Sequence, residues 1–250
     1  MIHASVEGLQ VPAITTEQMR EVDRLMIGKY NVQLIQMMEN AGRNLAEMVR
    51  RLLGTSVKGK HTLVAAGKGN NGGGGMVAAR HLYNWGAEVT VLLPKKALNG
   101  IPENQLNIIE KLPIELKTGD DAVDYLSVWN GDMVADALIG YGLSGKPHGW
   151  TGKMIEAINA LTLPVVSLDV PSGLDATTGE IYEPCIRAKA TMTLALPKKG
   201  LVKPEARRVV GDLYLADIGV PDVLYKEIGI NVGPIFLNDS IIKIDGVKKG

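Results

Sequence analysis

Behind Thr15-Thr16-Glu17, apolar residues recur three and four positions apart at Met19, Val22, Leu25 and Met26. That period predicts an amphipathic helix with a threonine N-cap. A second stripe, Leu34, Met37, Met38, Ala41, Leu45, Met48 and Leu52, predicts a helix from Val32 to Leu53 that stops at Gly54. The pattern then alternates between short apolar runs and helical periods. Thr62 to Ala66, Val89 to Leu93, Ile114 to Leu116, Met133 to Ile139 and Val165 to Leu168 read as strands. Met76 to Trp85, Pro102 to Leu112, Asp121 to Val128 and Lys153 to Leu161 read as the helices between them. Strands without a polar face, separated by helices, imply a mostly parallel sheet covered on both faces: a doubly wound, Rossmann-like α/β fold.

The last third is less regular. Ala190 to Leu196 and Asp212 to Ala216 are strand-like, and Pro221 to Ile228 predicts a short helix. No linker or internal repeat interrupts the pattern, so a single domain over residues 15–228 is expected, with an arm at 1–14 and an extension at 229–250. Within that extension Ile235-Phe236-Leu237 is a candidate edge strand, but Asn231-Val232-Gly233-Pro234 and the Gly246-Val247-Lys248-Lys249-Gly250 end favour a loosely attached extension.

Composition narrows the reading. The chain has 250 residues, 46% hydrophobic and 22% charged, with Lys+Arg 27 balancing Asp+Glu 27. This is globular composition, and a neutral balance gives no electrostatic footprint for nucleic acid or an anionic membrane. The lone Cys185 cannot close an internal disulfide, the four histidines are scattered, and no leader or membrane span is evident, so a reducing cytoplasm is expected. His81 within a helix and Cys185 read as packing residues, and Met37-Met38 as core. Glu39-Asn40 breaks the apolar stripe, either to support the glycine cluster or simply at the surface.

The chemistry lies in three segments at strand ends. Six of the 29 glycines fall in Gly67-Lys68-Gly69-Asn70-Asn71-Gly72-Gly73-Gly74-Gly75, after the first apolar strand and before a helix. In a doubly wound sheet that is the ligand-binding edge, and the stretch is a phosphate-loop candidate. Gly67-x-Gly69-x-x-Gly72 matches the dinucleotide fingerprint, yet the second strand runs into Pro94-Lys95-Lys96, where a dehydrogenase needs its ribose-binding acid. No Walker lysine follows, so a kinase reading is weaker still. Lys95-Lys96 leaves room for a 2′-phosphate. Asp136 runs into a second glycine-rich loop, Gly140 to Lys146, and Asp169-Val170-Pro171-Ser172-Gly173 follows the next strand. Carboxylates at the ends of buried strands need a cation or hydrogen bonds, which makes a hard cation with oxygen ligands plausible.

Taken with Met19-Arg20-Glu21-Val22-Asp23-Arg24, Met38-Glu39-Asn40-Ala41-Gly42, Pro197-Lys198-Lys199-Gly200 and Ala216-Asp217-Ile218-Gly219, these segments resemble the YjeF N-terminal domain, the NAD(P)H-hydrate epimerase family. The likeness runs in order from about Ile14 to Val223. It implies an isomerase that interconverts the R and S forms of NADHX and NADPHX, nicotinamide cofactors hydrated at ring carbon 6, in metabolite repair. It further implies that Asn70, Asn71, Gly72, Gly73, Gly74, Gly140, Tyr141, Gly142, Leu143, Ser144, Gly145, Lys146 and Asp169 meet the substrate. By the same likeness Asn71, Asp136 and Ser172 hold a potassium ion, a separate NAD(P)H-hydrate dehydratase is the functional partner, and a homodimer is expected. The chain has room for the epimerase half alone. It departs from the family pattern at Gly74, where an aspartate is usual, and at Lys68, where proline is common.

Carbon 6 of the hydrated ring is a carbinolamine, so inversion needs a proton delivered and taken back; Asp169 is the expected general acid/base. The rival reading, favoured by Gly74, is a non-catalytic nucleotide-binding or scaffold module of the same fold.

Overall fold

The computed structural model describes residues 2–6, 9–244 and 246–249. In chain order its elements are β1 (Ile2–Val6), β2 (Leu9–Pro12), α1 (Thr16–Gly28), α2 (Leu34–Leu52), β3 (His61–Ala66), α3 (Asn70–Asn84), β4 (Glu88–Leu93) and α4 (Ile101–Ile109). There follow β5 (Glu115–Thr118), α5 (Asp120–Tyr125), β6 (Met133–Ala137), α6 (Gly149–Ala160), β7 (Val165–Leu168), β8 (Ala190–Leu194), α7 (Arg207–Val210), β9 (Asp212–Ala216), α8 (Asp222–Glu227), β10 (Ile241–Lys243) and β11 (Gly246–Lys249). Eight strands form one sheet in the order β10-β9-β8-β7-β6-β3-β4-β5, parallel except for the edge strand β10. The chain winds outward from β3 to β4 and β5, then returns to place β6 on the other side of β3. Such a reversal opens a crevice at the carboxyl ends of the strands, and doubly wound sheets bind ligands there.

Alternation along β3 shows how both faces are covered. Val64 and Ala66 pack into a core with Leu45, Met48, Met76 and Ala79 of α2 and α3. Leu63 and Ala65 face the opposite core, with Met154, Ile155 and Ile158 of α6. Each fully buried valine, leucine, isoleucine or methionine among them contributes roughly 1.5–3 kcal/mol. At the start of α1, the Thr15 hydroxyl accepts from the Gln18 amide (3.2 Å) while the Thr15 amide donates to the Gln18 side chain (2.9 Å), a capping box. No helix among the described residues is long and apolar enough to cross a membrane.

Two expectations are corrected. The glycine cluster is helix rather than loop from Asn70 onward: α3 begins there, with Gly69 as its N-cap. Its glycines permit close approach, not unusual backbone angles. A Cβ on Gly72 would lie 1.9 Å from the Gly67 carbonyl oxygen, and one on Gly75 would lie 2.6 Å from Cβ of Ala137 on β6. Gly42 plays the same part from α2, where a Cβ would lie 2.4 Å from Cβ of Val77. Glycine in a helix interior costs about 1 kcal/mol relative to alanine. Here that cost is offset by seating α3 tightly on the sheet and on α2.

The second correction concerns the extension, which is not loosely attached: Ile241–Lys243 joins the main sheet as its edge strand, while Ile235 and Phe236 lie in a turn. Arg51 of α2 grips Asp239 with two hydrogen bonds (2.7 and 2.9 Å), and the Ser240 hydroxyl donates to Asn44 (2.9 Å). Those contacts fix the chain just before β10 and deliver it to β9. Beyond, β11 joins β1 and β2 in a separate three-stranded sheet. Of the expected arm and extension, residues 1, 7, 8, 245 and 250 lie outside the described residues.

Candidate active site

A cavity of about 490 Å³ opens at the carboxyl ends of β3, β6 and β7, between the first turns of α3 and the faces of α1 and α2. On the helix side Met19, Leu34, Met37 and Met38 give an apolar surface beside Arg20 and Asp23 of α1, and the sheet side sets Asp169 and Lys198 among Leu138, Ile139 and Leu168. Its volume falls within the roughly 300–1,000 Å³ usual for small-molecule sites. A second hollow, of about 590 Å³, lies against the other end of α2, but two of its arginines, Arg50 and Arg51, are paired with Glu47.

Asp169 follows the last residue of β7 and is buried. Its φ of 67° places a non-glycine residue in the left-handed region, a strain of order 1–3 kcal/mol that the surroundings must hold. They do so with hydrogen bonds. The ammonium of Lys198, 0% exposed, donates to Asp169 Oδ1 at 2.6 Å, and the Tyr141 amide donates to Oδ2 at 2.9 Å. Lys198 spends its remaining protons on the Leu194 carbonyl (2.8 Å) and the Thr193 hydroxyl (3.3 Å). Its backbone is clamped by Ile14, whose amide donates to the Pro197 carbonyl (2.8 Å) and whose carbonyl accepts from the Lys199 amide (2.8 Å).

Tyr141 links this pair to α1. Its hydroxyl donates to Asp23 Oδ2 at 2.5 Å, and its ring lies beneath Lys198, with Nζ 5.9 Å from the centroid. Burial raises the Asp23 carboxyl above its ordinary value despite the hydrogen bond from Tyr141, and burial together with the Asp23 charge raises the Tyr141 hydroxyl.

Beneath the cavity wall, Asp136 is fully buried near the carboxyl end of β6. It accepts from the Ser172 hydroxyl (2.7 Å), the Ser172 amide (3.0 Å), the Ser167 hydroxyl (2.8 Å) and the Leu138 amide (3.2 Å). No basic side chain is ion-paired with it among the described residues, and burial raises its carboxyl. Asn71 stands apart from that pair, with its amide donating to the Leu168 carbonyl at 3.3 Å. Its side-chain oxygen faces Gly140, where a Cβ would sit 3.1 Å from Asn71 Oδ1 and 3.0 Å from Asp169 Oδ2. Gly140 thus leaves open the space on which those two oxygens converge. No group of three His, Cys, Asp or Glu is gathered among the described residues. One carboxylate with neutral oxygens suits a singly charged, oxygen-seeking cation better than a divalent one.

Of the expected substrate contacts, Asn70, Asn71, Gly74, Gly140, Tyr141, Gly142 and Asp169 line the cavity. Gly72 and Gly73 do not: they turn inward against the Gly67 backbone and the Met38 sulfur. Leu143, Ser144, Gly145 and Lys146 continue beyond the wall into a largely exposed loop. Lys95 and Lys96 are likewise outside, with Lys96 bonded to Glu110 (2.8 Å). Gly74 is not forced by packing as its neighbours are, since a Cβ there meets only Leu168 Cδ2, at 3.0 Å. Lys68 is exposed and off the wall. Met37 and Met38 belong to the core and to the cavity wall alike. Glu39 clamps α2 to α3 through Arg80 (2.6 Å) and His81 (2.8 Å), while Asn40 donates to the Ile218 carbonyl (3.3 Å). Cys185 is a core thiol, pushed up to about 12 by burial.

Sequence reasoning assigned no role to Lys198 or Asp23. Both lay within quoted motifs, but a lysine in a run of two and an aspartate on a polar helix face carry no sign of burial.

Residues 34–200 match the family described as YjeF-related protein N-terminus. The chain is 43% identical over 229 residues to an NAD(P)H-hydrate epimerase of Dehalogenimonas lykanthroporepellens, spanning 90% of this chain and 89% of that protein. It is 38% identical to a bifunctional NAD(P)H-hydrate repair enzyme of Moorella thermoacetica, over 84% of this chain but 41% of that protein. Among solved structures, the yeast protein ynu0 superposes with a TM-score of 0.81 at 26% identity, covering 93% of this chain and all of that one.

Proposed function

The chain belongs to the YjeF-related N-terminal family, and on that footing we propose that it is an NAD(P)H-hydrate epimerase, interconverting the R and S forms of NADHX and NADPHX. The observation that carries the reading is the Asp169–Lys198 pair. A carboxylate is held in left-handed backbone on the cavity wall by a lysine with no exposed surface, and strain of that kind clusters where a site needs a preset group.

The cavity suits the two ends of such a substrate. The first turn of α3 offers backbone amides at Asn70 and Asn71, and a helix N-terminus favours a phosphate. The apolar wall of Met19, Leu34, Met37 and Met38 accepts a ring. Asp169, already accepting from Lys198 and the Tyr141 amide, is presented as a proton acceptor and donor for the carbinolamine at ring carbon 6. Such positioned groups contribute about 10²–10⁴-fold.

Asn71, Asp136 and Ser172 would hold a potassium ion. Bound there, it would neutralise the buried Asp136 carboxylate and stiffen the loops that carry Asn71 and Gly140. The functional partner is a dehydratase acting on the S form, a reading supported by the Moorella thermoacetica relative, which is named a bifunctional NAD(P)H-hydrate repair enzyme and is matched over 41% of its length.

The test is to follow purified R-NADHX and R-NADPHX with wild type and Asp169→Asn. Wild type converts both to the S form, and the variant is slowed at least about 100-fold. Near-normal turnover by the variant would remove Asp169 from the mechanism.

A further inference from the structure

We propose that Asp23 and the Tyr141 hydroxyl form a second proton-handling pair, at the far end of the Tyr141 side chain from Asp169, so that each face of the hydrated ring meets its own acid/base group. The proposal rests on the epimerase reading and deepens it.

The chemistry asks for two such groups. In inversion by exchange of water, the C6–O bond breaks on one face and its electron pair leaves with the oxygen. A proton delivered to that hydroxyl lets it depart as water, and the ring-nitrogen lone pair makes the C=N bond of an iminium. A water oxygen then bonds to carbon 6 from the opposite face, the C=N electrons return to nitrogen, and the new oxygen sheds one proton. One proton and one water enter, and one of each leaves. A single carboxylate cannot stand on both faces of a bound ring at once.

The geometry supplies the second station. Tyr141 bridges two carboxylates, its amide bonded to Asp169 (2.9 Å) and its hydroxyl to Asp23 (2.5 Å), and all three residues line the cavity. The hydroxyl, while donating to Asp23, still offers its own oxygen to a hydrogen of the ligand. A proton passed to Tyr141 therefore continues to Asp23, and the reverse transfer runs back along the same path. Asp169, fixed in place by Lys198 and the Tyr141 amide, keeps lone pairs for a ligand but cannot swing across to the opposite face of a bound ring.

The electrostatics agree with this division. Asp23 is faced by Tyr141, Lys198 and Asp169; Arg20 acts on Tyr141 from one turn earlier on α1, and Tyr225 of α8 feels the Asp23 charge. Burial and the Asp169 charge raise the Asp23 carboxyl more than Tyr141 and Lys198 lower it, so it keeps its proton to higher pH than an ordinary aspartate. One limb of the kcat/KM profile then reports the titration of that carboxyl, displaced to higher pH than an ordinary aspartate gives.

Asp23→Asn, Tyr141→Phe and the double variant test the proposal, with epimer interconversion followed by chromatography in both directions and ADP-ribose binding by calorimetry. Each single variant should lower kcat about 100-fold, with KM and ADP-ribose affinity within about threefold of wild type. The double variant should be no slower than either single one, since the two groups act as a unit. In Asp23→Asn the limb set by that carboxyl should move or vanish. Full-speed turnover by Asp23→Asn, losses that multiply in the double variant, or weakened ADP-ribose binding with an unmoved limb would each overturn it. If wild type itself fails to interconvert the epimers, the epimerase reading falls and takes this proposal with it. Turnover by wild type with unimpaired variants strikes this proposal alone.

Discussion

Replacing Lys198 by methionine keeps most of the side-chain volume but removes the ammonium, leaving a buried carboxylate at Asp169 with the Tyr141 amide and Thr193 as its remaining partners. The side chains of the pair are 0% and 4% exposed, so solvent does little to replace the lost charge. Breaking a buried ion pair by deleting one partner costs about 3–5 kcal/mol. The lower part of that range is expected here, because Asp169 lines the cavity and water can reach it after the change. For a chain of this size each kcal/mol moves Tm by roughly 2–4 °C, so Lys198→Met should melt about 6–12 °C below wild type. Scanning calorimetry and urea unfolding measure it. The double variant Lys198→Met/Asp169→Asn, which removes both charges, should recover more than half of the loss. A single variant within about 1 kcal/mol of wild type, or a double variant less stable than the single one, would refute the claim that Lys198 is what holds Asp169.

Other outcomes follow from the same contacts. Gly140→Ala places a methyl about 3 Å from the side-chain oxygens of Asn71 and Asp169; kinetics should show kcat/KM falling at least about tenfold with Tm little changed, since the crowding is confined to the site. Burial would raise the Glu39 carboxyl, but hydrogen bonds from Arg80 and His81 more than offset it and hold the group below its ordinary range. The native state therefore binds this proton less tightly than the unfolded chain, and the stabilisation is full above the unfolded value of about 4.3 and lost as pH falls through the native one. Glu39→Gln should flatten Tm against pH on that acid side, measured from pH 3 to 7 in steps of about half a unit. For the cation, wild-type Tm and epimerase rate should rise with potassium chloride relative to choline chloride, and Asp136→Asn should abolish both responses, because it removes the one carboxylate in the donor set.

The sheet was legible because short, wholly apolar runs such as Leu63-Val64-Ala65-Ala66 alternate with helical periods, the pattern of strands covered on both faces, and parallel strands end on the same side. That alone places Gly67, Asp136 and Asp169 at one edge. The helical state of Gly72 to Gly75 was not legible, since local propensity argues against four consecutive glycines in a helix. The tight seat against Gly67, Met38 and Ala137 overrides that propensity, and it exists only in three dimensions. Lys198 and Asp23 were hidden for a similar reason. Charged residues signal surface by default, and only the fold of β7, β8 and the Ile14 bridge buries the lysine. The edge strand Ile241–Lys243 depends on Arg51 and Asn44, roughly 190 residues away in sequence, which no local pattern reports.

The central claim is that this site inverts carbon 6 of hydrated nicotinamide cofactors. An equal mixture of R- and S-NADPHX incubated with a dehydratase that accepts the S form alone tests it most directly. With the protein present in potassium buffer, both epimers should be consumed and reduced cofactor should recover fully. If consumption stops once the S half is gone, at the rate seen without the protein, the account is contradicted.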